Sequence, residues 1–150
     1  MIKAIETIYN NHKFRSRLEA RWAVFFDTLG VKWEYEFEGF KIDGICYLVD
    51  FWLPDIHWFV EIKPTAEISQ ADRKKIKLLD DNSMNLPLPY QSWGVIVLIG
   101  TPDLLMANRN TNTWNNTGMF MAMTEVGVKD SIIDFGLYKK AVISAVQARF

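Results

Sequence analysis

Residues 47–63, Tyr47-Leu-Val-Asp50-Phe-Trp-Leu-Pro-Asp-Ile-His-Trp-Phe-Val-Glu61-Ile-Lys63, restrict the fold more than any other stretch of the chain. The run is apolar, β-branched and aromatic, as covered strands are, yet Asp50, Glu61 and Lys63 sit inside it. A charge buried without a partner is costly or neutralises itself, so these residues need one another or a ligand. Pairing arithmetic brings them together. If Asp55-Ile56 is the two-residue loop of a hairpin, Pro54 faces His57, Leu53 faces Trp58, and Asp50 falls opposite Glu61. Directly opposed residues share a face, with side chains about 5 Å apart. Lys63, two residues beyond Glu61, shares that face as well. Two carboxylates and an ammonium thus converge, the arrangement that a divalent cation flanked by an amine requires.

The flanking segments read as further elements. Ser16 to Leu29 has helical periodicity, with Leu18, Trp22, Phe25, Phe26 and Leu29 inside an arc of about 100°, and Gly30 closes it. From Trp33 to Glu38 the chain alternates, with Trp33, Tyr35 and Phe37 facing one way and three glutamates the other, so a strand with one solvated face is expected. Gly39 to Gly44 reads as a turn region, and Ile45–Leu53 and His57–Lys63 as the hairpin arms. Ser69 is a good N-cap for a helix to about Asp81, with Ile76 and Leu79 inward. Gly94 to Gly100 is apolar on both faces, as in a buried parallel strand. Strand, helix and parallel strand imply a right-handed crossover. Short strands are expected at 119–124 and 131–135, and a closing helix over 138–150.

With 150 residues, 49% hydrophobic and 14% aromatic, an ordered single domain over 1–150 is expected. The net charge of −1 leaves any polyanionic partner to local clusters. The single Cys46 excludes an internal disulfide and zinc-type cysteine spacing. No apolar run approaches the length of a signal-peptide core or a membrane span, so a soluble, cytoplasmic protein is the default expectation.

The order helix, three antiparallel strands, helix, parallel strand, with Asp50 on the second strand, Glu61-Ile62-Lys63 on the third and Glu19 in Phe14-Arg15-Ser16-Arg17-Leu18-Glu19 on the first helix, resembles the PD-(D/E)xK, or restriction-endonuclease-like, nuclease superfamily over residues 14–100. The block around Glu19 is similar to small phage members. One departure is that Val49 precedes Asp50, where the motif has proline; the literal Pro54-Asp55 lies at the hairpin tip. The resemblance implies an α/β fold with an αβββαβ core, a mixed central sheet flanked by helices, and a small C-terminal extension.

It also implies a DNA endonuclease that depends on Mg²⁺ or Mn²⁺. Asp50 and Glu61 would be ligands, with the backbone carbonyl of Ile62 and, through its helix, Glu19; Lys63 would stabilise charge developing on the phosphate. A phage structure-specific, Holliday-junction-resolvase-like enzyme is the leading form. A freestanding homing or restriction-like endonuclease and a catalytically silent nucleic-acid-binding module are the alternatives. One site per chain implies a homodimer or higher homo-oligomer for cleavage of duplex or branched DNA.

Several assignments stay open at this level. Glu19 is favoured for a metal-linked or water-positioning role, with the N3 position of a capping box with Ser16 as the alternative. Arg15 and Arg17 are candidate phosphate contacts or a solvated helix face, and for Arg21 the solvated face is preferred. Arg73, Lys74, Lys75 and Lys77 form either a DNA-tracking surface or another solvated face. Gln70 is a candidate polar side chain near the site. His12 and His57 read as structural, and Trp114 is the aromatic most open to a DNA role. A structural ion pair on a solvated sheet face is the bland alternative for the whole cluster.

Overall fold

The computed structural model describes residues 4–36, 39–102 and 135–150. It is a mixed α/β structure built on a four-stranded sheet. The chain opens with a hairpin, β1 (Thr7–Tyr9) and β2 (His12–Phe14). Helix α1 (Arg17–Leu29) follows, then β3 (Glu34–Tyr35) and a second hairpin, β4 (Gly39–Ile42) and β5 (Ile45–Leu48). Strands β6 (Phe51–Leu53) and β7 (Trp58–Lys63), helix α2 (Gln70–Asn82), strand β8 (Val95–Ile99) and helix α3 (Phe135–Gln147) complete it. The main sheet runs β3-β6-β7-β8; the first two pairings are antiparallel and β7–β8 is parallel. Among the described residues no helix is long and apolar enough to cross a membrane.

Both main helices begin and end where their residues require. Ser16 caps α1 by accepting the Glu19 N–H, and Gly30 closes it in the left-handed conformation. Ser69 caps α2 by accepting the Asp72 N–H. The apolar stripe of α1 buries Trp22, Phe25, Phe26 and Leu29 against Phe51, Leu53, Val60, Ile62 and Leu98 of the sheet. Helix α3 packs along α1, and the Trp22 indole N–H bonds the Gly100 carbonyl at 2.9 Å, pinning α1 to the end of β8. The opposite face carries Trp52 and Phe59, covered by Leu79 of α2 together with Phe40, Tyr47 and Leu86.

Three expectations are corrected. The β6–β7 register is the expected one, with Leu53 opposite Trp58, but the turn spans the four residues 54–57. The N–H groups of Ile56 and His57 both donate to the Leu53 carbonyl, so Pro54 and His57 are not a strand pair. Pro54, with no N–H for a ladder, belongs in the turn rather than the strand. The expected arm Ile45–Leu53 is two strands, broken at Val49-Asp50. Its first half pairs with β4, in the segment expected to be a turn region. The cause is Asp43-Gly44: both have positive φ, 50° and 78°, forming the two-residue turn that suits a tight hairpin. Asn10-Asn11, also at positive φ, makes the same kind of turn between β1 and β2. The strands expected at 119–124 and 131–135 lie outside the described residues, except that Phe135 opens α3.

Candidate functional site

The β6–β7 register, extended by one pair, sets Asp50 opposite Glu61, and Lys63 follows on the same face. These three residues share a cleft of about 580 Å³ with Arg15 and Glu19 at the start of α1, Tyr47 of β5, and Asp72 and Lys75 of α2. Asp50 is almost fully buried, 4% exposed. Its Oδ2 accepts the Ile62 N–H at 2.8 Å, and its Oδ1 accepts from Arg15 Nη2 at 2.9 Å. Lys63 Nζ lies 4.0 Å from Glu61 Oε2 and 3.6 Å from Asp72 Oδ2. The three charges therefore share a side of the sheet, as the strand period requires.

Glu19 resolves its two readings by its partner. Ser16 does cap the helix, but the Glu19 carboxylate does not return to it. Its Oε2 accepts the Tyr35 hydroxyl at 2.7 Å, and its Oε1 lies 3.9 Å from Arg15 Nη2. At 8% exposed, it forms the α1 wall of the cleft. The Tyr35 hydroxyl also accepts the Arg15 backbone N–H at 3.1 Å, so β3 fixes the segment that enters α1. Arg15 Nε pairs with Glu36. Glu36 was expected on a solvated face. Its backbone turns to φ 44°, which ends the alternation after Tyr35 and leaves the carboxylate half-buried beside Arg15.

Burial and like charge act together on the acidic pair. Burial first, then the Glu19 charge, raises the Asp50 pKa above the ordinary carboxylate range. Burial first, then the Asp50 charge, does the same for Glu61. Arg15 and Lys63 oppose both shifts without cancelling them. Asp50 and Glu61 therefore hold their protons to higher pH than ordinary carboxylates, and a cation that met their ionised forms would offset the cost of that burial.

Of the other sequence candidates, Lys75 lines the cleft, whereas Arg17, Gln70 and Lys74 are exposed and outside its lining. From the first turn of α2 it is Asp72, not Gln70, that turns toward Lys63. A helix residue two positions further on points about 200° away, and the sequence holds no cue to choose between them. Arg21 is not a solvated-face residue. It donates to the carbonyls of Ala145, Val146 and Ala148, satisfying the C-terminal end of α3. Its guanidinium also lies 5.6 Å from the Phe150 ring centre. His12 and His57 are exposed in turns or strand ends away from the cleft lining, and Trp114 lies outside the described residues. Tyr35, Glu36 and Asp72 are the site members that sequence reasoning did not nominate.

Comparison with known proteins yields no match: no protein-family model matches the chain, and no curated protein or solved structure is significantly similar to it. Chemistry must therefore decide whether the cleft suits a cation. Asp50, Glu61, Glu19 and Asp72 offer it carboxylate oxygens, the donors preferred by Mg²⁺ or Mn²⁺ rather than by softer metals. Among the described residues, no three His, Cys, Asp or Glu side chains already form a cage for a metal ion. Mg²⁺ needs no cage, since one or two carboxylates with waters and substrate oxygens suffice. Asp50 and Glu61, two largely buried carboxylates on one face, are the pair that fits such an ion. The Ile62 group tied to Asp50 is its N–H; its carbonyl has no assigned role.

Proposed function

We propose that this chain is a metal-dependent DNA endonuclease with a PD-(D/E)xK-type site. The observation that carries this reading is the buried pairing of Asp50 with Glu61 and the Lys63 ammonium 4.0 Å from Glu61. The strand order β3-β6-β7-β8, antiparallel and then parallel, with α1 before it and α2 between β7 and β8, supports a restriction-endonuclease-like core. Asp50 and Glu61 would hold Mg²⁺ or Mn²⁺, with Glu19 behind them. When bound, the ion supplies positive charge at the phosphate and a more acidic water.

The chain's own residues do the rest. Lys63 stabilises negative charge that develops on a non-bridging phosphate oxygen, and Asp72 and Glu61 hold its ammonium at the mouth of the cleft. Lys75 holds a neighbouring backbone phosphate without reading sequence. With a net charge of −1, such local cations must supply the electrostatic grip that DNA binding needs. Two copies, each with one site, would cut both strands of duplex or branched DNA.

A second reading, a silent nucleic-acid-binding module, draws on one observation: Arg15 already occupies Asp50 Oδ1. A panel of supercoiled, linear, nicked, single-stranded and four-way DNA substrates with Mg²⁺ or Mn²⁺ separates the two. Cleavage that stops in EDTA and in Lys63→Ala is the expected result. DNA binding without cleavage in either metal selects the silent module, and neither binding nor cleavage removes both.

A further inference from the structure

We infer that Arg15 is a movable counter-ion, which pairs with Asp50 in the cation-free protein and withdraws onto Glu36 when a divalent cation enters. The inference rests on the cation-site reading of Asp50 and Glu61. Ile62 holds Asp50 Oδ2. That leaves Oδ1 as the less committed oxygen, and Arg15 Nη2 sits on it at 2.9 Å. A cation and the guanidinium therefore compete for one atom.

The geometry gives Arg15 somewhere to go. Two nitrogens face three acids: Nη2 bonds Asp50 at 2.9 Å and lies 3.9 Å from Glu19, while Nε takes Glu36. Breaking the closer Nη2 contact leaves the Nε–Glu36 pair as a pivot. The main chain at Arg15 is fixed, since its N–H bonds the Tyr35 hydroxyl and Ser16 caps α1 one residue later. The side chain beyond it is 57% exposed, so the guanidinium can turn without disturbing the core. Glu36 is available because its left-handed backbone turns it away from the strand alternation. Arg15, once displaced, remains at the mouth of the cleft with its Nη groups released from Asp50, and a DNA phosphate is the partner that a planar two-donor cation suits.

The test uses the full chain without DNA. Titration calorimetry with Mn²⁺ is run on the wild type, Arg15→Ala, Arg15→Gln and Glu36→Gln, with circular dichroism in EDTA to verify folding. Removing the competing guanidinium should tighten Mn²⁺ binding about five- to tenfold, at the lower end of ordinary site-to-site coupling. Removing the second anchor in Glu36→Gln should weaken it. Equal or weaker binding in both Arg15 variants overturns the inference. A purely static charge effect is separated by side-chain nitrogen NMR of Arg15 during a Mg²⁺ titration. Release of hindered rotation at the Nη groups, with the Nε–H still protected, is expected; unchanged signals at both positions overturn it. If the wild type and every variant fail to take up Mn²⁺, the cation-site reading falls and this inference with it. Binding by the wild type without the Arg15 effect removes this inference alone.

Discussion

The two faces of the main sheet are made from the same strands and are covered differently. On one side α1 buries seven residues and meets Phe14, Phe51, Leu53 and Val60, each fully buried. Rings pack closely there: Phe26 against Phe51 at 5.2 Å and Phe14 against Tyr35 at 4.4 Å between centroids. On the other side α2 buries only Ile76 and Leu79. Trp52 and Phe59 fill the end near the hairpin turn, and the far end is left to Asp50, Glu61 and Lys63. Stability is concentrated where the helix stripe is wide, and the acidic cleft opens where it is narrow. Apolar cover over the whole face would raise the cost of each carboxylate further, and the narrow stripe of α2 leaves the cleft open instead.

The contrast can be broken from the packed side first. Phe51→Ala should lower stability by about 3–5 kcal/mol, as large-to-small changes in tight cores do, measured by guanidinium denaturation; a loss under about 1 kcal/mol would mean that the α1 face is not the stabilising one. On the charged side, Lys63→Ala should cut DNA cleavage by about 10²–10³-fold with a smaller loss of stability than Phe51→Ala. Equal damage to both quantities would make Lys63 a structural residue. Gly94→Ala tests the contact between α2 and the start of β8. A Cβ there would run into the Asp80 carboxylate of α2, which accepts the Val95 N–H at 2.8 Å. A loss of about 1–2 kcal/mol is expected from strain and from this bond, read from the thermal midpoint.

The smallest effect concerns pH. The folded-state pKa of Glu61 lies above its ordinary value, through burial and then Asp50, so the folded chain binds that proton more tightly than the unfolded one. The resulting stability is present in acid and is lost as pH rises through the raised value. Glu61→Gln removes this loss. In EDTA it should equal the wild type in acid and exceed it at alkaline pH by on the order of 1 kcal/mol. Adding Mn²⁺ should stabilise the wild type more at alkaline pH than in acid. A wild type that gains stability as pH rises would contradict the charge balance described for the cleft.

Much of this contrast was legible in the sequence because it depends on period and register. The stripe Trp22, Phe25, Phe26, Leu29 gave α1; Ser69 gave the start of α2; and the pairing sum that sets Leu53 against Trp58 survived even though the turn was longer than expected. A strand position fixes a face, so Asp50, Glu61 and Lys63 were placed correctly without any contact being known. What was missed depends on backbone conformation or on tertiary reach. Asp43-Gly44 is a hairpin signal between Phe40-Lys-Ile42 and Ile45-Cys-Tyr47, but two turn-forming residues mark a loop and a tight hairpin alike. Glu36 was assigned to solvent by an alternation that a single left-handed residue ends. Arg21 bonds carbonyls more than 120 positions away, and no local pattern reports such a distance.

That long-range bond has a practical consequence. Arg21 stands two residues after Glu19 on the same short helix, and it grips the terminal turn of α3 through three carbonyl oxygens. The helix bearing one wall of the cleft is thereby moored to the last residues of the chain. Breaking that contact, as in Arg21→Ala, would be felt as a looser acidic wall more than 100 residues upstream.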